Sequence, residues 1–206
     1  RTDRPFLVAL GLGAVVRMLV MVAFPPAFVF SDGPTYLWFS DNLTPNPDRP
    51  IGYGVFLAGL HPISHSVFVI AVVQHLLGLA TAVAAYVLLR RWGVASRLAM
   101  VATLPLLFDQ MQLVLEHSIL SDVLFDLLLI LALVALTWRR RPTIGGAVLA
   151  GLLLGAATVV RVVGQPPVTG PVMLVANHIS WLDIPVMHAA RHCRFVSKSD
   201  VKGWPL

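Results

Sequence analysis

Long apolar runs separated by short arginine clusters constrain this chain more than any other feature of its sequence. A helix needs about 20 residues to cross a bilayer, and five runs reach that length, near residues 6–25, 65–89, 98–116, 118–137 and 144–162. The chain is 57% hydrophobic and only 12% charged, whereas an ordinary globular domain is about 25% charged. A soluble chain of 206 residues could not bury so much apolar surface in one core. We therefore predict an integral membrane protein whose spans are covered by lipid.

Arginine clusters at residues 90–97 and 139–141 indicate how the spans are oriented. Short cytoplasmic loops carry an excess of arginine, so both clusters and the N-terminus are predicted to face the cytoplasm and loop 31–64 the outside. Within that loop, the apolar piece 51–60 is too short to span and predicts a re-entrant or interfacial helix. The formal net charge of +5 is divided among these clusters. It forms no basic face, so nucleic acid is not a predicted partner.

Acidic side chains of the first 163 residues collect on the predicted outer side. Carboxylates at membrane depth are costly and usually face a cavity or a partner, so as a set they predict an acidic pocket. For any single acid, a helix cap or the solvated boundary is an alternative. No cofactor is assigned firmly, although a divalent metal at this pocket stays open. Seven of the eight acids belong to the set: Asp32, Asp41, Asp48, Asp109, Glu116, Asp122 and Asp126.

Other polar residues in the apolar region have no assigned role. The sequence names no partner for Arg17, inside the first run. His61, His65 and His75 have irregular spacing with Pro62 between the first two, which favours interfacial or loop histidines over metal ligands.

The composition changes after residue 163. Residues 1–163 contain eleven arginines and no lysine, whereas both lysines lie in the last nine residues. A Gly-Gln-Pro-Pro stretch predicts a linker over 164–170. Beyond it, a four-residue apolar run and a short amphipathic helix are typical of a strand and helix that begin an α/β domain, at 171–206.

The most specific motif of the chain is Asn-His-Ile-Ser-Trp-Leu-Asp, which contains His178 and Asp183. A histidine that ends a strand could take a proton from an attacking hydroxyl, with an aspartate in the next helix fixing its tautomer. Ser180 and Asp183 also match a capping box, in which the carboxylate only caps a helix.

Residues 167–206, which contain this motif, resemble the 1-acylglycerol-3-phosphate acyltransferase family. The resemblance implies that His178 is the general base and Asp183 its orienting partner. The implied reaction moves an acyl group from acyl-CoA or acyl carrier protein to a lysophosphatidate hydroxyl. Asp200 stands where the family more often has Glu. The family's later blocks would follow the C-terminus of this sequence, so we expect a truncated fragment that does not turn over by itself.

Residues 1–163 resemble the N-terminal half of the GT-C glycosyltransferases, which use polyprenyl-phosphate sugar donors. The matching pieces are Ser-Asp-Gly-Pro-Thr-Tyr at 31–36, Arg-Pro-Ile-Gly-Tyr-Gly at 49–54, Gln-x-x-Leu-Gly at 74–78, Glu-His-Ser-x-x-Ser-Asp at 116–122, and Arg161.

This second resemblance implies roles for four residues. Asp32 would be the catalytic base or help to bind a metal, and Glu116 and Asp122 would line the donor site. The family often has Glu at the position of Asp122. Arg161 could hold a lipid phosphate, or it could extend towards the interface without contacting substrate.

Together these patterns predict a mainly α polytopic membrane bundle of about five spans, followed by a truncated α/β acyltransferase fragment. The predicted function is a transferase fragment of lipid and cell-envelope synthesis in the bacterial inner membrane. Five alternating spans would place residue 163 outside, away from cytoplasmic acyl-CoA. Either the fifth, glycine-rich segment is re-entrant or the two parts do not work together, and with the change in lysine content this favours a chimeric or incomplete chain. The alternative is a single membrane-anchored lysophosphatidate acyltransferase. A transporter or scaffold would predict inverted repeats, which the sequence lacks.

Overall fold

A computed structural model describes residues 3–29, 32–44, 50–139 and 143–160. The chain divides into two units, Arg1–Gly164 and Gln165–Leu206, and every described residue belongs to the first. Arg161, His178, Asp183 and the α/β fragment therefore lie outside the described residues, and the predictions made for them stay predictions.

The described part of the chain is mainly helical, as predicted. It contains no strand, and its one isolated bridge joins Phe28 to Ser118. The helices are α1 (Arg4–Ala23), α2 (Gly33–Asn42), α3 (Gly52–Ala58), α4 (Val67–Arg91), α5 (Ser96–Phe108), α6 (Gln110–His117), α7 (Asp122–Thr137) and α8 (Ile144–Val160).

Two helices of the described part, α1 and α4, are long and apolar enough to cross a membrane. The bent pair α5 and α6 gives a third span if it is counted as one. Within the described residues, α7 has 16 residues and α8, which reaches the end of the described range, has 17, so neither is counted there as a span. The predicted five spans are therefore not confirmed. Lipid is nevertheless the suitable solvent for the outer faces, where Val22 is 80% and Ile144 87% exposed.

The predicted span 98–116 is broken at Asp109, where α5 and α6 meet at 50°. Asp109 has an extended ψ of 133°, and its carboxylate accepts a hydrogen bond from the Gln112 amide at 3.2 Å. This is an N-cap, which favours starting a new helix over continuing the old one. Pro105 weakens the preceding turn because it has no N–H to donate.

The helices alternate between two ends of the bundle. At one end, Arg90 of α4 lies 3.3 Å from Asp3, which precedes α1. Arg91 donates at 2.9 Å to the carbonyl of Trp138, directly after α7. This first end is therefore the arginine-rich one.

At the opposite end, the segment after α1 meets the segment after α6, because the Phe28 amide donates to the His117 carbonyl at 2.9 Å. We call this end the polar end, because the buried histidine and glutamate side chains lie towards it.

An apolar core joins α2 and α3 to α4 and α7 near the polar end. Phe39, Tyr53 and Leu57 are fully buried in it. Gly54 permits this packing, since a Cβ there would lie only 2.5 Å from the Cβ of Phe39. Gly52 similarly admits the backbone of Val159, which brings the end of α8 against α3.

Candidate functional site

Arg17 is the most unusual residue of the bundle, since it is a cation on a spanning helix with only 2% of its side chain exposed. All five of its N–H groups donate. Two form a bidentate pair with Glu116 at 2.7 and 2.6 Å. The other three donate to the carbonyls of Gly13, Leu106 and Leu107 at 3.1, 3.0 and 2.9 Å. The last two carbonyls lack helical partners because α5 ends there, so the guanidinium caps the negative end of α5.

Glu116 lies on α6 and is completely buried. Its Oε1 accepts from Arg17 and from Gln112, the latter at 3.1 Å. Its Oε2 accepts from Arg17 and lies 2.9 Å from Nδ1 of His75. Four contacts satisfy both oxygens, which is what a carboxylate needs when it is removed from water.

His75 and His117 continue this arrangement as a chain of hydrogen bonds. Nε2 of His75 lies 3.1 Å from Nδ1 of His117, whose Nε2 lies 2.7 Å from the carbonyl oxygen of Phe24. This chain of hydrogen bonds therefore ends at an acceptor on each side, the Phe24 carbonyl and the Glu116 carboxylate. These contacts join α4 to the end of α6 and to the segment after α1.

Gln74 ties the irregular loop between α6 and α7 to α4. Its amide nitrogen donates to the carbonyls of Glu116, at 3.0 Å, and Ser118. The Ile119 amide donates to the Phe28 carbonyl at 3.1 Å. Non-helical backbone is tolerated at membrane depth only where protein groups satisfy it, and these contacts do so. We call Arg17, Gln74, His75, Glu116 and His117 the Arg17 network.

Gly78 allows the Arg17 network to form. A Cβ at this position would overlap the carboxylate of Glu116. The bare backbone of Gly78 therefore lets α4 lie against the end of α6, which places His75 within hydrogen-bond distance of Glu116.

Two tyrosines of the apolar core form polar contacts on the side of this network. The Tyr53 hydroxyl donates to Oε1 of Gln74, and burial raises the pKa of Tyr53, which keeps the hydroxyl protonated as a donor. Tyr36 packs edge-on against Tyr53, and its hydroxyl lies 3.4 Å from Oγ of Ser121.

Asp32 and Asp122 begin two helices that approach each other at the polar end. Asp32 directly precedes α2 and Asp122 opens α7, and both are half-buried. A Cβ on Gly33 would lie 3.5 Å from Ile119, and Tyr36, one turn further along α2, meets Ser121. The residues next to the two acids are thus in contact.

The other acids of the predicted pocket lie elsewhere. Glu116 is enclosed by protein, Asp109 caps α6, and Asp41 lies beside His61 at the end of α2. Asp48 lies outside the described residues.

Arg17, Gln74, His75 and His117 received no site role from the sequence, although their chemistry left a signal. A cation inside a span needs an opposite charge at similar depth. Glu116 ends a predicted span on the same side, so the pair could have been proposed. The histidine chain could not, because it depends on how α4 lies against α6.

Comparison with known proteins identifies two resemblances. A family model for dolichyl-phosphate-mannose-protein mannosyltransferases matches residues 57–184, more than half of the chain. A lyso-ornithine lipid O-acyltransferase of Pseudomonas aeruginosa is 49% identical over 47 residues, 23% of this chain and 18% of the relative. A 1-acyl-sn-glycerol-3-phosphate acyltransferase of Neisseria meningitidis is 40% identical over 72 residues, 33% of this chain and 26% of the relative. The chain thus spans about a quarter or less of the length of these relatives. No solved structure is detectably similar.

Both resemblances named from the sequence, to a GT-C glycosyltransferase and to a lysophosphatidate-type acyltransferase, are therefore confirmed. The acyltransferase similarity covers short segments, whereas the family model covers most of the described bundle from the end of α3 onward. The apolar helices agree with a membrane-embedded transferase. By the extent of the match, this chain belongs to the dolichyl-phosphate-mannose-protein mannosyltransferase family.

Proposed function

We propose that the bundle is part of a glycosyltransferase that moves a sugar from a polyprenyl-phosphate donor to an acceptor at the outer face of the bacterial inner membrane. The observation that carries this proposal is the family match over residues 57–184, which includes Glu116, Asp122 and Arg161.

In the proposed reaction, Asp32 accepts the proton of an acceptor hydroxyl. The hydroxyl oxygen then forms a bond to the anomeric carbon of the sugar, while the bond to the polyprenyl phosphate breaks and the lipid phosphate leaves. A positioned base contributes about 10²–10⁴-fold in rate. The contacts of Gly33 with Ile119 and of Tyr36 with Ser121 support a site at which Asp32 and Asp122 act together.

In this proposal, Glu116 lies beneath the donor and positions other groups instead of binding the donor itself. Its oxygens are already satisfied by Arg17, His75 and Gln112, so a donor would have to displace buried partners to reach it. Through Gln74 and His117, the network fixes the loop that precedes Asp122. Glu116 is thus a positioning residue for Asp122.

Arg161 follows α8 directly and is proposed to bind the lipid phosphate, because a guanidinium offers paired donors that match phosphate oxygens. The test is photolabelling of the full chain in lipid nanodiscs with a photoreactive polyprenyl phosphate. Arg161→Gln should lower labelling about tenfold or more, since a hydrogen bond to a charged group contributes about 1.5–3 kcal/mol. Arg139→Gln is the matched control. Equal labelling of both variants would remove Arg161 from the site, and an unlabelled wild-type chain would refute donor binding.

The catalytic assignment is tested by sugar transfer from the polyprenyl-phosphate donor in membranes that contain the chain. Asp32→Asn should lower the rate by about 10²-fold or more, whereas Asp3→Asn, the same change at the arginine-rich end, should retain it. Undiminished transfer by Asp32→Asn would exclude Asp32 as the base.

A second candidate function, acyl transfer, rests on the 49% identity to the P. aeruginosa acyltransferase. His178 would take the proton of a lysolipid hydroxyl, and that oxygen would attack the thioester carbonyl of acyl-CoA or acyl carrier protein and release the thiol. Asp183 would hold the imidazole in the correct tautomer. The activities of the similar acyltransferases suggest two acceptors to compare, lysophosphatidate and lyso-ornithine lipid.

Acylation of these two lysolipids in membranes decides between an active and an inactive fragment. His178→Ala should abolish any activity that the wild-type chain has, and His192→Ala is the matched control. An inactive wild-type chain would instead support the chimeric or incomplete chain predicted from the composition change.

A further inference from the structure

Asp41, His61 and His65 form a second acid–histidine group, which we call the Asp41 cluster. Asp41 lies in the last turn of α2, and the two histidines lie in the segment between α3 and α4. The packing of α2 on α3 across Gly54 brings these two places together.

The three side chains are arranged around a common point. Nε2 of His61 lies 3.8 Å from Oδ1 of Asp41, and the imidazole rings of His61 and His65 have centroids 4.4 Å apart. One potential ligand atom from each of the three residues lies within 4.8 Å of the other two.

A helical turn of the backbone produces the histidine pair. The Ser64 amide donates to the Leu60 carbonyl at 3.0 Å, which is the i to i−4 bond of an α-helix. This turn covers residues 60–64 and His65 follows it directly, so its imidazole lies beside that of His61 although the sequence places Pro62 between them.

The imidazole nitrogens of the Asp41 cluster are available as ligands. Among the described residues, neither the His61 nor the His65 imidazole forms a hydrogen bond, and the nearest opposite charge to His61 is Asp41 at 3.8 Å. In the Arg17 network, by contrast, every imidazole nitrogen already has a partner.

We propose that Asp41, His61 and His65 bind Zn²⁺. Two neutral imidazoles and one carboxylate are a common set of three protein ligands for zinc, with the fourth position left to water or another oxygen. At zinc–ligand distances of about 2.0–2.2 Å, tetrahedral ligand atoms are about 3.4 Å apart. The cluster therefore closes by about 1 Å on binding, and Asp41, 67% exposed, has the freedom to do so.

The fourth position of the proposed site opens into a cavity of about 230 Å³. Ser40 and Ser64 contribute hydroxyls to its wall, and Leu37, Leu57 and Val67 contribute apolar surface. Bound Zn²⁺ with one carboxylate leaves a net charge of +1, so the cavity would accept water or an anionic oxygen. The site is independent of the proposed glycosyl transfer, which uses none of the three ligands.

The test is titration of Zn²⁺ into the purified full chain in nanodiscs, in competition with a chromogenic chelator. We expect one Zn²⁺ per chain. His61→Ala, His65→Ala and Asp41→Asn should each weaken binding at least tenfold, because each removes one of three ligands. Co²⁺ should give the intense visible absorption of a tetrahedral site, and the same variants should abolish it.

Two controls separate ligand loss from general effects. His192→Ala leaves the same number of histidines as the single ligand variants, and Asn42→Ala changes the neighbour of Asp41; both should bind Zn²⁺ like the wild type. Circular dichroism confirms that each variant keeps its helices. Absence of stoichiometric binding would overturn the proposal, and so would equal affinity of the ligand variants and the controls. Donor labelling is a separate readout, so either proposal can fail without the other.

Discussion

The Arg17 network and the Asp41 cluster contain the same elements, one carboxylate and two imidazoles, in two different environments. Glu116, His75 and His117 are at most 3% exposed, whereas Asp41 is 67% and His61 25% exposed. In the first, each group is satisfied by another group of the protein. In the second, the nitrogens stay available as ligands.

Arg17 accounts for much of this difference. Without it, the buried carboxylate would keep only His75 and Gln112 as partners, which would not offset the cost of its desolvation. The guanidinium supplies two strong hydrogen bonds and a positive charge, which permits a charged Glu116 inside the bundle. The Asp41 cluster needs no such cation, because water solvates its carboxylate. When a carboxylate and two imidazoles are buried, they therefore form structural hydrogen bonds within the protein. When the same residue types are exposed, they stay able to bind an ion.

Removing the guanidinium of Arg17 should have the largest effect on stability. Arg17→Leu should lower the free energy of unfolding by about 3–5 kcal/mol, since it leaves Glu116 buried without its charged partner. Thermal unfolding in detergent, followed by circular dichroism, measures the change. Arg97→Leu, an exposed arginine on α5, should change stability by less than about 0.5 kcal/mol. If Arg17→Leu/Glu116→Leu is no more stable than Arg17→Leu alone, the unpaired charge is not the cause.

Gly78→Ala should produce the next largest effect. The added Cβ overlaps the Glu116 carboxylate, and overpacking of this kind typically costs about 1–3 kcal/mol. Gly151→Ala on α8 is the matched control, because its Cβ meets no atom within 4 Å. That control should be neutral or slightly stabilising in the same unfolding experiment. Equal stability of the two variants would argue against close packing of α4 on Glu116.

Replacing one histidine in each region tests the comparison directly. His75→Leu should lower the free energy of unfolding by about 1–3 kcal/mol, because Glu116 and His117 each lose a buried hydrogen-bond partner. His61→Leu should change it by less than about 0.5 kcal/mol in the absence of metal. A larger loss from His61→Leu than from His75→Leu would reverse the assignment of structural and ligand-binding roles.

The smallest expected effect concerns Asp3 at the arginine-rich end. The Tyr86 hydroxyl donates to Asp3 at 2.6 Å and, with Arg90, lowers the pKa of this exposed carboxyl below its unfolded value. Its stabilising contribution is therefore present above the unfolded pKa and is lost as the pH falls through the folded one. Asp3→Asn should lower stability near pH 7 slightly, and the difference from the wild type should shrink below about pH 4. Unfolding midpoints at pH 7 and pH 3 measure it; a difference independent of pH would exclude the carboxylate as its source.

Much of the fold could be predicted from the length of the apolar runs, since α1, α4 and α8 lie close to the predicted runs. The break at Asp109 was missed because its apolar neighbours masked an N-cap. The start of α7 was placed too early because residues 118–121 are apolar enough to read as helix, although their backbone pairs with Phe28 and Gln74. For the candidate site, the sequence identified Asp32, Glu116 and Asp122 by type and order, and their roles stay proposals.

The sequence by itself determined that lipid surrounds the apolar helices and how charge is distributed between the ends of the bundle, because both depend on composition and spacing. Apolar runs require lipid, and the arginines beside them collect at one end of the bundle. Only the tertiary structure decided which polar groups meet. Arg17 and Glu116 are 99 positions apart, and Asp41 and His61 lie on different elements, so no local pattern encodes either pairing. A hydrogen bond forms between atoms within about 3 Å, and that proximity arises only when helices pack.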